Sequence, residues 1–307
     1  MPNNPPKKTN RTTLLILLAI AALALLLVYF FPALLGNGLW ETPPGAANAD
    51  FAVHFIDVGQ GDCTLISADG RHMLIDGGER GNEDRVVKYL KNQGVRRLDI
   101  VIATHPHSDH MGGLAYGIME AFPVGTVIAP RFSAENTPTT RTYERFLQVV
   151  GRLKQKGTAA NFARPGTEYM LGQATCTILG PLKEDGRNYN NDSVIVRVAY
   201  GNVAVLLTGD AERGVEGQLV KHWGADLRAT LLSAGHHGSK TSSTKAFLDA
   251  AGPQVIAISS GSDNTYGHPH ADVLQRCRDM GVMIYRTDTE GTVVFGSDGR
   301  NFWRIEN

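Results

Sequence analysis

An α/β domain preceded by a single N-terminal transmembrane helix is the fold class this sequence predicts, on three observations. From Asp50 onward, short β-branched runs alternate with stretches of helical period, the pattern of sheets covered by helices. Several of those runs end on imidazole or carboxylate groups rather than on ordinary turn residues. Ahead of them, Leu14 to Phe31 is eighteen consecutive apolar or small residues, and about eighteen or more is the length of a membrane-spanning helix.

The N-terminal organisation follows from charge. Lys7, Lys8 and Arg11 precede the apolar run, and no charged residue follows it until Glu41. Positive residues stay on the cytoplasmic side, so the C-terminal part is expected outside. The division is a basic cytoplasmic tail at 1–12, a transmembrane anchor or uncleaved signal at 13–36, a linker at 37–49 and one domain at 50–307. Ala47-Asn48-Ala49 has the small-x-small form of a processing site, and cleavage there would make the protein secreted. The apolar run exceeds the about 7–15 residues of a signal-peptide core, which favours a single-pass anchor. Pro43 to Ala49 reads as a short tether of stiff prolines and small residues.

The remaining 258 residues suit one large domain without internal repeats. Helical character is expected at Glu83–Gln93, Tyr143–Lys156, Ala211–His222, Ser243–Ala251 and Ala271–Met280. Extended chain is expected at Val124–Ala129, Val194–Ala199, Val255–Ser259 and Thr292–Phe295. Cys63, Cys176 and Cys277 are odd in number and lack metal-like spacing, so they read as thiols rather than a disulfide framework. Of 30 basic and 30 acidic residues, three basic ones precede the apolar run and one acidic residue lies in the tether, leaving 27 against 29. That balance gives a nonspecific nucleic-acid binder no basic surface overall. Arg131, Arg141, Arg145 and Lys240 are the residues that would have to gather at a cleft.

The chemistry is concentrated in Thr104-His105-Pro106-His107-Ser108-Asp109-His110-Met111-Gly112-Gly113, directly after the buried-strand pattern of Leu98 to Thr104. His105 and His107, two apart beyond a strand end, can point the same way, while Asp109 and His110 open the next helix and face back. Imidazole and carboxylate together suit zinc, manganese or iron, and a pair of groups from each half suits two adjacent ions. Further ligands are expected at the ends of other strands. Val203 to Leu207 leads through Thr208-Gly209 to Asp210, which is either a bridging carboxylate or the N-cap of a helix near Ala211. Leu231 to Ala234 leads to Gly235-His236-His237-Gly238-Ser239.

In their order, these motifs resemble the metallo-beta-lactamase superfamily and, within it, the extracytoplasmic hydrolase module of the ComEC DNA-uptake proteins. Phe55-Ile56-Asp57-Val58-Gly59-Gln60-Gly61-Asp62, Leu74-Ile75-Asp76-Gly77-Gly78, Asn190-Asn191-Asp192-Ser193 and Asn264-Thr265-Tyr266-Gly267-His268-Pro269 complete the match from about Phe51 on. The resemblance implies a four-layer αββα sandwich with two divalent metal ions, zinc or manganese, at one edge. It assigns His105 and His107 to one ion, Asp109 and His110 to the other, and Asp210 between them. One of His236 and His237 completes the second site, with His236 marginally preferred. Asp76 takes the place of a carboxylate that orients metal-bound histidines, and Asp57 and Asp62 are grouped with it as supporting or binding residues.

One departure stands out: no histidine lies between His110 and Asp210 to finish the first site. Asn190 and Ser193 occupy roughly that place, and amide and hydroxyl oxygens bind more weakly than imidazole. The implied function is a membrane-tethered, metal-dependent hydrolase, a phosphodiesterase or nuclease that uses a metal-activated hydroxide. Asp109 and His268 are the residues assigned to catalysis, His268 toward the leaving or a nonbridging oxygen. Ser239, opening a helix near Thr241, and Lys240 are expected to bind an anion. Hydrolysis of a phosphocholine ester or β-lactam, or a noncatalytic role in DNA uptake or the envelope, are the alternatives. With one apolar span the chain forms no channel itself, so a DNA-uptake role requires a separate pore as partner.

Overall fold

The computed structural model describes residues 49–306. The tail, the apolar segment and nearly all of the linker expected at 1–49 lie outside the described residues. Among those described, no helix is long and apolar enough to cross a membrane.

The chain first lays down β1 (Phe51–Phe55), β2 (Thr64–Ala68), β3 (Arg71–Ile75), β4 (Leu98–Ile102), β5 (Val124–Ala129) and β6 (Ala159–Phe162) side by side. Helices α1 (Glu83–Asn92), α2 (Ser108–Gly113) and α3 (Arg141–Gln155) connect them. The chain then builds a second sheet from β7 (Glu168–Leu171), β8 (Ala174–Gly180), β9 (Ile195–Tyr200), β10 (Val203–Leu207), β11 (Leu231–Ser233), β12 (Val255–Ile258) and β13 (Met283–Arg286). Its helices are α4 (Arg213–Trp223), α5 (Lys245–Ala251) and α6 (Ala271–Asp279). Finally β14 (Val293–Ser297) and β15 (Phe302–Ile305) return to the first sheet, where β14 runs antiparallel to β1.

Alternation along the strands explains the layering. In β1, Phe51, Val53 and Phe55 face the second sheet and pack with Val196, Val198, Val205 and Phe295, all fully buried. In β4, Ile100 and Ile102 take the same face, while Val101 turns the other way and joins Val86 and Leu90 of α1, Met111 of α2 and Phe146 of α3. A third core packs Leu206, Leu232 and Ile256 of the second sheet against Leu219, Phe247, Leu248 and Val273 of α4 to α6. Three apolar cores therefore separate four layers, with each large buried side chain contributing about 1.5–3 kcal/mol.

Helix starts differ from the sequence reading by local chemistry. Thr140 accepts from the Tyr143 amide (3.2 Å), which moves the start of α3 ahead to Arg141. Ser243, with φ of 53°, cannot be helical, and Thr244 caps α5 instead. The three cysteines are free and buried.

His54 breaks the apolar pattern of β1. Its ring lies under α1 with Nδ1 2.8 Å from the Tyr89 hydroxyl, and burial, assisted by the nearby His72, lowers its pKa to about 4. The unfolded chain takes up this proton below about 6.5, whereas the folded chain does so only below about 4, so stability is complete above the first value and falls as the pH drops toward the second. The expected loss is about 3 kcal/mol. His54→Gln should remove that slope. Urea midpoints of the two proteins at pH 7.5 and pH 4 check it, and equal pH dependence would rule the assignment out.

Candidate metal centre

The centre forms where strands of both sheets deliver their C-terminal ends. β4 runs into His105, β10 into Asp210, β11 into His236 and His237, and β3 into Asp76. His107 is the extended residue before α2, so Asp109 and His110 lie in the first helical turn. The helix is seated against bare backbone. A Cβ on Gly61 would stand 2.2 Å from the Asp109 carbonyl oxygen, and one on Gly113 would stand 2.1 Å from that of Gly77. Amide donors then lock the seat, Gly77 to the His110 carbonyl at 2.8 Å and Asp62 to the Asp109 carbonyl at 3.1 Å.

Two groups of donor atoms share Asp210. His105, His107 and Asp210 bring ligand atoms within 4.8 Å of one another, as do Asp62, His110, Asp210 and His237. The two oxygens of Asp210 divide between the groups. Oδ2 lies 3.5 Å from His105 Nε2, and Oδ1 lies 3.2 Å from His110 Nε2 and 3.6 Å from His237 Nε2. Asp109 joins the second group, with Oδ2 3.3 Å from His237 Nε2. Asp62 belongs to it by distance, but its oxygen lies 3.3 Å from Nδ1 of His237, the nitrogen that donates to the Ser259 carbonyl at 3.0 Å. Asp62 therefore orients the ring from behind.

The donor set fits divalent cations. Ring nitrogens face one another, His105 Nε2 to His107 Nδ1 at 3.0 Å and His110 Nε2 to His237 Nε2 at 3.2 Å, so converging lone pairs need a proton or a cation between them. The buried Oδ1 of Asp210 and Oδ1 of Asn190 have no hydrogen-bond donor. Protonation shows the same demand. Burial opposes charge on His110, yet Asp210, Asp109 and Asp76 outweigh it and hold the imidazole well above its ordinary range. His237 is raised likewise against burial, chiefly by Asp210. Burial would raise Asp210, but His110, His237 and His105 keep it well below the usual carboxylate range. Burial and His110 push His105 well down, and burial lowers His107. Asp210, His105 and His107 are thus held in the ionised and neutral forms that coordinate metal, while His110 and His237 hold protons among the carboxylates, positive charge that a cation would replace.

The supporting residues sort themselves by position. Asp76 is fully buried and accepts from the Thr104 amide (2.8 Å), the Thr104 hydroxyl (2.6 Å) and His110 Nδ1 (2.8 Å). That arrangement turns His110 Nε2 toward Asp210. Ser193 lies behind the ligands: its hydroxyl donates to the Asn190 carbonyl (2.7 Å) and accepts from the Asp210 amide (3.1 Å). Of the pair expected to replace the missing histidine, only Asn190 reaches the cleft.

Two expectations are corrected and one alternative is excluded. Asp57 is away from the centre, accepting from the Gly59 amide (3.0 Å) and pairing with Arg85 (2.8 Å) to brace a turn. No helix opens near Thr241. Glu216 takes the Ser243 and Thr244 amides and α5 starts at Lys245. The Ser239 amide donates to the His236 carbonyl and the Lys240 amide to His270, so this turn presents no anion site, and Lys240 does not line the cleft. Finally, Asp210 does not cap α4, whose N-cap is Glu212.

The cleft above the centre has a volume of about 500 Å³ and is walled by His107, Asp109, Asn190, His236, His237 and His268. Asn264 shapes the loop carrying His268, its amide nitrogen donating to the His268 carbonyl at 2.6 Å and its oxygen accepting from the His268 amide at 2.9 Å. Gln60, Thr140, Thr142 and Tyr266 also line the cleft and were not singled out from sequence. Gln60 and Tyr266 lie inside the recognised motifs, which was the available signal. Thr140 and Thr142 end the long Pro130–Thr142 connection, which the sequence leaves as either a substrate loop or a variable turn. Arg131, Arg141 and Arg145 do not line it, and Arg145 pairs with Glu120 at 3.0 Å.

A model of the metallo-beta-lactamase superfamily matches residues 56–261. The chain is 33% identical over 267 residues to competence protein ComA of Neisseria gonorrhoeae, covering 86% of this chain and 35% of that one. It is 28% identical over 262 residues to ComE operon protein 3 of Bacillus subtilis, covering 79% and 32%. The chain thus spans about a third of the length of these relatives. Among solved structures, the metallo-beta-lactamase fold protein YhfI of Bacillus subtilis superposes with a TM-score of 0.51 at 14% identity, covering 80% of this chain and 100% of that one. At that identity the likeness is one of fold.

Proposed function

Because the chain belongs to the metallo-beta-lactamase superfamily and carries a metal-capable centre, making it a metal-dependent hydrolase by family, we propose that its substrate is a phosphodiester and that it is of the ComEC type. The reading places it outside the cytoplasm, tethered by the 13–36 segment, and working on DNA or a smaller phosphate ester beside a separate channel. The observation that carries it is the Asp210 carboxylate, whose two oxygens face different ligand groups. A carboxylate so placed would serve a divalent cation on each side, zinc or manganese in this reading. A cation pair supplies charge for an anionic transition state and makes a water acidic near neutral pH, and a phosphodiester gains most from such a pair. The names of the competence relatives support the same direction.

The chain's own groups have defined tasks in this reading. His105, His107, His110 and His237 hold the centre through nitrogens fixed by Asp76, Ser259 and their mutual packing. Asp109 opens onto the cleft with its carboxylate held below the usual range, burial being outweighed by His110 and His237. It is placed to orient the attacking water and accept a proton from it. His268 is lowered to about 4 by burial and by the imidazoles of His237, His236 and His270. It meets the substrate as a neutral ring that donates one hydrogen bond to a phosphate oxygen.

The test is a substrate screen on the full chain, stripped of metal and reloaded with zinc or manganese. Single-stranded DNA, duplex DNA and bis(p-nitrophenyl) phosphate are compared with a β-lactam and a phosphocholine ester. Metal-dependent cleavage of the diesters is expected. Turnover of only the last two, or of none by metal-loaded protein, would overturn the proposal.

A further inference from the structure

We propose that His236 is the metal ligand that stands in for the histidine missing between His110 and Asp210, completing the site of His105 and His107 rather than that of His110. The inference rests on the two-cation reading and deepens it. Its basis is the backbone of two consecutive residues. His236 and His237 both have left-handed dihedrals, with φ of 52° and 55°, a conformation that costs about 1–2 kcal/mol for a residue with a Cβ. Two such residues in succession splay their side chains to opposite sides of Asp210. His237 drops beside Oδ1 and His110, buried to 2% exposure. His236 goes to the other oxygen: its Nε2 lies 3.7 Å from Oδ2, the oxygen that also faces His105, and its side chain is 22% exposed at the cleft.

The hydrogen bonding of the ring agrees. The Thr241 hydroxyl lies 3.2 Å from His236 Nδ1, in place to accept from it. Glu212 Oε1 lies 3.7 Å from the same nitrogen. A hydroxyl and a carboxylate oxygen beside Nδ1 favour a hydrogen on that nitrogen, which leaves the Nε2 lone pair directed toward Asp210. His237 is arranged in parallel, its Nδ1 donating to the Ser259 carbonyl. A ligating histidine ordinarily has its outer nitrogen fixed in this way, and both members of the pair show it. The first group then reads His105, His107, His236 and one oxygen of Asp210. The second reads Asp109, His110, His237 and the other oxygen. The shortage noted in the sequence is made good from the far side of the chain, and Asn190 is released to face substrate.

Metal content of the full-length protein in detergent tests this directly. Asparagine tolerates a left-handed backbone, so His236→Asn keeps the turn while removing the imidazole. After dialysis against buffered zinc, wild type should hold two equivalents and His236→Asn one, with the weakened ion losing more than about 100-fold in affinity, beyond the cost of losing an outer-shell partner. Adding His107→Ala should remove no further ion because both residues serve the same site, whereas adding His237→Asn should remove the second. Thr241→Val, which keeps the ring and deletes its acceptor, should weaken one ion by about 10–100-fold. Two ions held at wild-type affinity by His236→Asn, or one ion surviving in the His236/His237 double variant, would overturn the assignment while leaving the two-cation reading intact. A wild type with fewer than two equivalents would overturn both.

Discussion

Replacing Asp210 by alanine is expected to lower kcat/KM on whatever substrate the wild type cleaves by about 10³–10⁴-fold and to release divalent metal. The carboxylate is 2% exposed, and each oxygen faces a different set of imidazoles. Its removal takes a ligand from both groups at once, and metal ions contribute several kcal/mol to such transition states, at 1.36 kcal/mol for each tenfold in rate. The fold should persist. Asp76, Asp109 and Asp62 remain beside His110 and His237, and the strands leading into the centre draw their stability from apolar packing. Circular dichroism and metal analysis of the purified variant separate the two effects. Wild-type turnover by a folded, metal-depleted Asp210→Ala protein would remove the centre from the chemistry.

Asp76→Ala is expected to be the most damaging change outside the ligands, costing about 3–5 kcal/mol of stability and about 10–100-fold in metal affinity. Its carboxylate makes three hydrogen bonds in a fully buried place, and burial raises its pKa despite the counteracting His110 and Thr104. Alanine would leave the Thr104 amide and His110 Nδ1 without an acceptor. It would also have to adopt a φ of 58°, which asparagine and aspartate tolerate far better. Asp76→Asn should therefore recover much of the stability and less of the affinity, since an amide oxygen holds His110 more weakly than a carboxylate. Thermal unfolding with chelator reads the first effect and zinc competition the second. Equal losses in the two variants would contradict the role assigned to the charge.

Groups adjacent in sequence were the most legible. His105, His107, Asp109 and His110 are brought together because a strand end and the first helical turn are local structures with known directions. Asp210 was visible as a carboxylate at a strand end, but its bridging geometry is a long-range fact. The His236 and His237 pair was visible as a pair, but which member stands beside His110 was not, because strand alternation cannot anticipate two left-handed residues in a row. The helix expected near Thr241 failed for a similar reason. Glu216, on a different helix, claims the amides of Ser243 and Thr244, and nothing nearby in the chain announces that. Thr140 and Thr142 line the cleft because the long Pro130–Thr142 connection is pinned by Glu184, which accepts from the Ser133 amide at 2.9 Å and from Asn136 at 2.9 Å. An N-cap threonine and one in the first helical turn carry no mark of that task.

The pairing of β1 with β14 has a consequence for biosynthesis. Phe55 meets Val293 only after about 240 further residues have been made, and a ribosome adding about 5–20 residues per second needs tens of seconds to supply them. Until then β1 is paired with β2 alone, and Phe51, Val53 and Phe55 lack their neighbours on the other edge, so the first sheet is completed only when synthesis is nearly finished.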